Sequence, residues 1–325
     1  MSENLTLVQA VRDGLQAEMA EDDDVLVMGE DVGKNGGVFR ATEGLFDEFG
    51  EDRVIDTPLA ESGIIGTAVG MAAYGLKPVP EIQFSGFMYP GFDQIVSHMA
   101  RLRTRSRGRF TLPMVLRAPM GGGIRAPEHH SESKETFYVH EAGLKVAMPS
   151  TPYDAKGMLI AAIRDPDPVI FLEPKKIYRA FREEVPDDPY EVPLGEASVR
   201  REGSDISVFT WGAMTRPTLD AADNLEGDVD VEVVDLRTLS PLDEDAVVES
   251  FKKTGRAAIV HEAPKTAGVG AEITATIQEN ALLHQEAPVE RITGFDVPFP
   301  LAALEDYYLP EPERIESGIR EAVEF

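Results

Sequence analysis

Two acidic segments carry carboxylates whose positions suit acid–base chemistry. Glu61 stands in DTPLAES (56–62), directly before an apolar helical pattern, and Glu30 stands in GEDVG (29–33), directly after a predicted strand. A carboxylate at the polar end of a buried helix can have a raised pKa and act in catalysis, or it can simply favour the helix N-terminus through the dipole. Open α/β sheets bind ligands where their strands end. Both glutamates are therefore candidate site residues.

A histidine pair, His129 and His130, stands in APEHHSES (126–133) after the glycine-rich MGGG (120–123). A loop histidine can be inert, but glycines, acids and serines beside it favour a functional site. None of the six histidines has the HExxH spacing of a zinc site. The chain contains no cysteine, which excludes a disulfide, a thiol nucleophile and a cysteine-ligated metal.

The phosphate-binding patterns of α/β proteins are absent or incomplete. There is no Walker A sequence, and no GDG motif is followed by the asparagine of a magnesium–diphosphate site. GVGAEI (268–273) follows a predicted strand and opens a helix, but Ile273 occupies the third glycine position of the dinucleotide fingerprint. We favour a helix start eased by glycine, and a nicotinamide oxidoreductase remains the alternative.

The hydrophobic pattern predicts an α/β fold with a largely parallel sheet. Apolar spacing predicts helices over residues 5–19 and 64–76, and short β-branched runs predict strands at 25–28, 79–84, 114–117, 145–148 and 169–172. An acidic, proline-rich linker is predicted over 183–193. A second, smaller α/β domain follows, with strands at 206–210, 229–235, 257–260 and 289–292 and helices at 215–225, 243–253 and 270–283.

The charge balance excludes some partners. The chain has 31 basic and 58 acidic residues, a net charge of −27. Nucleic acid and anionic membrane surfaces repel such a chain, so we expect neither as a partner. A merely acidic surface is one interpretation. We favour the salt-rich cytoplasm of a halophile, because the Debye length falls to about 3 Å at molar salt and the self-repulsion is then screened.

The beginning of the chain shows no basic and apolar leader pattern, so we expect no signal peptide and a cytoplasmic location. The longest weakly polar stretch (63–76) is too short to span a bilayer. RLRTRSRGR (101–109) breaks the acidic trend with five arginines. Since no aromatic residues are interleaved with them, nucleic-acid binding is disfavoured, and we expect ion pairs with carboxylates at a subunit interface.

Five segments together carry a resemblance to a known family: DTPLAES, EIQFSGFMYPGFDQ (81–94), APEHHSES, PSTPYDAKG (149–157) and VVDLRTLSPLD (233–243). The chain resembles the beta subunit of the decarboxylating first component of 2-oxo acid dehydrogenase complexes, of pyruvate or branched-chain type. The resemblance covers essentially the whole chain. It implies a transketolase-type pyrimidine-binding domain over residues 1–185, a linker over 186–198 and a transketolase C-terminal α/β domain over 199–325.

The resemblance also implies the activity and the partners. The missing diphosphate motif would lie on a separate alpha subunit, and thiamine diphosphate and Mg²⁺ would bind between the subunits of an α2β2 heterotetramer. The assembly would decarboxylate pyruvate or a branched-chain 2-oxo acid and reductively acylate the lipoyl group of the dihydrolipoyl acyltransferase core. An acetoin dehydrogenase-type beta subunit and a noncatalytic docking subunit of the same complex are the alternatives.

Residue by residue, the resemblance implies that Glu61 hydrogen-bonds N1′ of the aminopyrimidine and that His130 is the active-site histidine. Phe87 matches an aromatic position of the pyrimidine pocket, and Gln83 and Glu30 are expected as its neighbours.

A structural potassium site is implied as well, with several main-chain carbonyls among its ligands. By similarity it falls on Met114, Ala162, Ile163, Asp165 and Asp167. Oxygen ligands suit a hard cation.

Overall fold

The computed structural model describes residues 2–325, which form 14 β-strands and 11 α-helices. In chain order the strands are β1 Ser2–Leu5, β2 Val25–Gly29, β3 Val54–Asp56, β4 Lys77–Glu81, β5 Val115–Met120, β6 Lys145–Ala147, β7 Val169–Pro174, β8 Glu183–Pro186, β9 Ser198–Arg201, β10 Ile206–Thr210, β11 Val231–Asp235, β12 Thr238–Ser240, β13 Ala257–Pro264 and β14 Glu290–Gly294. The helices are α1 Leu7–Glu21, α2 Leu45–Phe49, α3 Glu61–Ala73, α4 Leu102–Arg105, α5 Glu135–Val139, α6 Pro152–Arg164, α7 Thr215–Asn224, α8 Glu244–Thr254, α9 Val269–Ala281, α10 Glu305–Tyr308 and α11 Pro312–Val323.

The larger sheet has seven strands in the order β12-β6-β7-β5-β4-β2-β3. Every pair in it is parallel except β12 with β6. Strands β2, β5 and β7 are buried along their whole length, which explains their continuous apolar character. The predicted α/β fold is confirmed. Since parallel strands end at one edge, the segments after β2, β4, β5 and β7 lie together there.

Helix α1 packs against α6 at close range. A Cβ on Gly14 would lie 3.4 Å from the Lys156 carbonyl oxygen, so the two backbones approach closely at this glycine. The helix begins at Leu7, two residues later than predicted, and Thr6 and Gln9 form a capping box at its N-terminus. The residues before it pair instead as strand β1 with β8, antiparallel.

The segment predicted as a linker is partly structured. Its first residues, Glu183–Pro186, form β8 and pair with β1, so the linker predicted over 183–193 is wrong at its start. The division of the chain into 1–185, 186–198 and 199–325 stays a prediction. Strand β12, from the second half, adds to the edge of the first sheet beside β6, so the two halves share one sheet.

The second sheet has the order β14-β13-β10-β11-β9 and is parallel except for β9. Helix α9 follows β13 at the GVGAEI segment. Cβ atoms on Gly268 and Gly270 would each lie 2.9 Å from the His261 ring, so both glycines make room for that buried side chain. This packing accounts for the glycines without a nucleotide. Among residues 2–325, no helix is long and apolar enough to cross a membrane.

An ion triad is buried at the carboxyl end of the larger sheet. Arg117 on β5 donates to Glu81 on β4 at 3.1 Å and to both oxygens of Glu173 on β7, at 2.7 and 3.1 Å. All three side chains are at most 3% exposed. The Tyr178 hydroxyl also donates to Glu173. Burial raises the pKa of Glu81, and the Arg117 charge opposes that rise. The triad fixes three neighbouring strands at the edge where the site loops begin.

Replacing Arg117 with methionine should lower the free energy of unfolding by about 3–5 kcal/mol, because two buried carboxylates lose their cation. Arg320→Met is the control, since Arg320 pairs with Asp228 at an exposed position, and it should cost no more than about 1 kcal/mol. Urea unfolding of both variants measures the difference. Equal losses would show that the triad contributes no more than a surface ion pair.

Candidate active site

Two candidate carboxylates meet beside the end of β2. Glu61 is the first residue of α3 and is half-buried, and Glu30 directly follows β2. The pKa of Glu30 is raised, first by its burial and then by the negative charges of Glu61 and Asp31. The structure thus brings the two predicted glutamates within electrostatic reach of each other. Helix α3 begins three residues earlier than predicted, at Glu61 itself.

A cavity of about 370 Å³ lies between the end of β2 and the first turns of α3. Its lining is largely apolar and includes Met28, Ile55, Pro58 and Ile64. It adjoins the turn that precedes Glu61, because Ala60 and Gly63 also line it. An apolar recess beside a carboxylate suits a flat ring with a polar nitrogen.

The other candidates gather in an aromatic cluster. The ring of His130 lies 4.5 Å from Phe84 and 4.9 Å from Phe87, both edge-on. The His129 ring stacks on Phe87 at 5.7 Å. Gln83 is half-buried in the segment between β4 and Phe84. Phe87 and His130 are therefore in contact, and their assignment to a cofactor site stays a prediction. Among the described residues, no hydrogen bond joins this cluster to Glu61.

Close backbone approach holds the cluster together. A Cβ on Gly86 would lie 2.0 Å from the His129 carbonyl oxygen, so only glycine fits there. The Tyr89 hydroxyl donates to the Glu132 carboxylate at 2.6 Å, and the Ser85 hydroxyl donates to the Glu132 carbonyl at 3.2 Å. The segment carrying Phe87 and the loop carrying His130 are thus bound to each other.

The same segment packs on α3, which places the carboxylate pair and the aromatic cluster on adjoining elements. A Cβ on Gly91 would lie 2.5 Å from Ile65 Cδ1, and the Ser62 hydroxyl donates to the Pro90 carbonyl at 2.6 Å. Ser62 directly follows Glu61 in the chain. The orientation of the Glu61 backbone is therefore tied to the aromatic segment.

The residues proposed for potassium are close in the fold, but both acids already pair with cations. Asp165 pairs with Lys145 and accepts the N–H of Asp167 at 2.9 Å. Asp167 pairs with Arg103. The Met114 carbonyl accepts the N–H of Val169, the Ala162 carbonyl accepts the N–H of Asp165, and Ile163 is buried. Within residues 2–325, no group of three or more acidic, histidine or cysteine side chains could hold a metal ion.

Three of the five arginines in the run 101–109 bind groups of this same chain. Arg101 donates to Glu141 at 2.9 Å, Arg103 pairs with Asp167, and Arg105 donates to the Ser97 carbonyl. The expected ion pairs at a subunit interface stay a prediction.

Sequence reasoning missed a buried polar group behind His130. Glu262 on β13, Glu135 on α5 and Lys175 after β7 are each at most 8% exposed. Burial raises the pKa of Glu135 to about 7 and lowers that of Lys175 to about 8. The sequence does place charged residues at the ends of predicted strands. That pattern was not enough to predict the buried group, because the contact between the two halves of the chain cannot be derived from local patterns.

The fold defines the class of protein. Residues 3–180 match the transketolase pyrimidine binding domain, and residues 195–315 match the transketolase C-terminal domain. A solved structure described as "Split gene transketolase, inactive beta4 tetramer" has the same fold, with a TM-score of 0.82, 20% identity and coverage of 99% of both chains. The chain is thus a two-domain protein of transketolase type.

Curated relatives narrow the class. The pyruvate dehydrogenase E1 component subunit beta of Acholeplasma laidlawii is 53% identical and covers 97% of both chains. The subunits of the same name from Bacillus subtilis (strain 168) and Staphylococcus aureus are 53% and 51% identical and cover 99% of both chains. The chain belongs to the family of pyruvate dehydrogenase E1 beta subunits.

Glu135 should make stability depend on pH. Its pKa rises from 4.5 to about 7 on folding, so the folded state holds a proton that the unfolded state has released, and stability falls as pH rises through this interval. Glu135→Gln cannot ionise, so its stability relative to the unchanged protein should increase by about 3 kcal/mol between pH 4 and pH 8. Unfolding midpoints across this range measure the difference. A difference that stays constant with pH would contradict this assignment.

Proposed function

We propose that the chain is the beta subunit of a thiamine diphosphate-dependent pyruvate dehydrogenase first component. With an alpha subunit it would decarboxylate pyruvate and reductively acylate a lipoyl group of the acyltransferase core. The observation that carries the proposal is the Glu30–Glu61 pair beside an apolar cavity, on elements that adjoin the Phe87–His130 cluster. The names of relatives at 51–53% identity support pyruvate as the substrate.

The residues present fit one half of a thiamine diphosphate site. The cavity is apolar, a carboxylate stands beside it, and the buried Nδ1 of His130 has no hydrogen-bond partner among the described residues. The chain lacks a diphosphate–magnesium motif, so the alpha subunit would hold the diphosphate and the Mg²⁺. Thiamine diphosphate, when bound, supplies the electron sink that stabilises the carbanion left by decarboxylation.

Glu61 would bind a ring nitrogen of the aminopyrimidine and hold a proton there. A carboxylate is suited to this task because it accepts a hydrogen bond from a ring N–H and strengthens it by its charge. Glu30 adds a second carboxylate nearby, and its own pKa is raised by burial and by the neighbouring charges of Glu61 and Asp31. We place Glu30 on an acidic path for protons towards the second active site.

His130 and Phe87 would line the active site beside the bound cofactor. Phe87 would offer a ring face and exclude water, and we propose the half-buried Gln83 as a neighbouring amide. His130 can hold or deliver a proton at a ring nitrogen and orient the substrate or the lipoyl group. The rings of Phe84 and Phe87 restrict how His130 turns.

The proposal includes the assembly and the location. We propose an α2β2 heterotetramer, a docking contact with the dihydrolipoyl acyltransferase core, and residence in the cytoplasm. The boundaries 1–185 and 199–325 are proposed as the pyrimidine-binding and C-terminal domains. Branched-chain and acetoin-type substrates are the alternatives. Measuring kcat/KM of the reconstituted complex for each of these substrates decides between them, and we expect the highest value for pyruvate.

Glu61→Gln, combined with the alpha subunit, should assemble normally but lower kcat for pyruvate decarboxylation at least 100-fold, because the amide cannot take up the proton. Reduction of an artificial electron acceptor measures the decarboxylation step. Glu244→Gln is the matched control, since Glu244 is likewise the first residue of a helix, α8, and it should leave kcat unchanged.

Persistent activity of the Glu61→Gln complex would contradict the catalytic role and favour a noncatalytic docking subunit. Equal losses from Glu61→Gln and Glu244→Gln would instead assign the effect to helix stability.

Melting temperatures in NaCl and in KCl test both the salt-rich cytoplasm and the potassium site. We propose that screening of the −27 charge stabilises the fold and that K⁺ binds among the carbonyls of the site described above. The melting temperature should rise by about 5 °C or more between 0.1 and 2 M NaCl. No rise in either NaCl or KCl would contradict the halophile proposal.

At equal concentration, the melting temperature should rise further in KCl than in NaCl. Equal rises in the two salts would contradict the K⁺ site.

A further inference from the structure

The loop that carries His130 rests on carboxylates from the second half of the chain. We define residues 121–133 as the histidine loop. Glu262, near the end of β13, and Glu305, the first residue of α10, are 8% and 1% exposed, and both contact this loop. Neither glutamate belongs to the pyrimidine-binding half that holds Glu61.

Glu262 contacts both ends of the histidine loop. The Ser133 hydroxyl donates to Glu262 Oε2 at 2.9 Å, and the backbone N–H of Gly122 faces the same carboxylate. A Cβ on Gly121 would lie 2.2 Å from Oε2, so the carboxylate sits directly against the loop backbone. One side chain thus joins the residues before His130 to those after it.

Glu305 and Lys175 complete the support. The N–H of Arg125 donates to the two Glu305 oxygens at 3.0 and 3.2 Å. The Lys175 ammonium donates to the Gly121 carbonyl and lies 5.7 Å from the Phe84 ring. Lys175 also balances the charge of Glu262 and Glu305 electrostatically. The loop backbone is held by charged groups that are themselves buried.

His130 depends on this support for its orientation. Its buried Nδ1 has no hydrogen-bond partner among the described residues. The position of the ring is therefore set by the Phe84 and Phe87 rings and by the backbone of the loop. A shift of the loop by a fraction of an ångström would move the imidazole, since no bond at Nδ1 holds it back.

We infer that Glu262 is a positioning residue for His130: through Ser133 and the loop backbone at Gly121, a carboxylate of the C-terminal half fixes the active-site histidine. This inference rests on the proposed function. It gives the second domain a part in the reaction, because the geometry of His130 then depends on the contact between the two halves.

The test uses the reconstituted complex with the alpha subunit. Glu262→Gln keeps an acceptor for Ser133 but loses the charge that faces Lys175, and it should lower kcat about tenfold while KM for pyruvate stays nearly constant. Glu262→Asp, which keeps the charge, should recover part of kcat. Asp306→Asn is the matched control, because Asp306 is exposed and pairs with the side chain of Arg125 rather than with the loop backbone, and it should leave kcat unchanged.

A double variant separates positioning from a general structural effect. If Glu262 acts through His130, adding Glu262→Gln to His130→Ala should cause no further loss of kcat. Additive losses, or normal kcat in Glu262→Gln, would overturn the inference. Ser133→Ala removes the same contact from the other side and provides a second measurement if Glu262→Gln does not fold.

Failure of the positioning role of Glu262 can be distinguished from failure of the proposed function. A complex in which Glu61→Gln is inactive but the Glu262 variants are normal contradicts only the positioning role. A complex in which Glu61→Gln is fully active contradicts the function itself.

Discussion

Arg117 places a positive charge inside the larger sheet, and the carboxylates that balance it come from the two neighbouring strands. A buried guanidinium cannot lose its proton, so Glu81 and Glu173 must stay within hydrogen-bond distance of it. This requirement fixes β4, β5 and β7 at the edge where the loops of the candidate site leave the sheet. Burying such a triad offers little net stability, but breaking it is costly, and it therefore favours one arrangement of the strand ends.

The candidate site is connected to this triad through a chain of rings. Tyr178, which donates to Glu173, packs 5.3 Å from Phe39, and Phe39 packs 5.5 Å from Phe84. Phe84 in turn lies against His130. Glu262 and Lys175 contact the histidine loop as well. The imidazole is thus connected to two buried charged groups, one within the sheet and one that includes a residue of the second half of the chain.

The sequence predicted the fold class and most strands and helices, because these follow from periodicity. Phe87 and His130 were assigned only through the family resemblance. It failed where pairing over long distances decides the structure. Strand β8 looked like a linker because its acids and prolines are typical of loops, and only its pairing with β1 makes it a strand. For the same reason, the sequence alone did not reveal the roles of Arg117, Glu173 and Glu262. Each of these residues has its structural role through a contact with a residue far away in the chain.

We propose that this chain contributes Glu61 to a thiamine diphosphate site shared with an alpha subunit. The most direct measurement is an experimental structure of the reconstituted complex with the cofactor bound. We expect a Glu61 carboxylate oxygen within about 3 Å of a pyrimidine ring nitrogen, with Phe87 and His130 beside the cofactor. A bound cofactor whose pyrimidine ring contacts neither Glu61 nor the aromatic cluster would contradict this proposal.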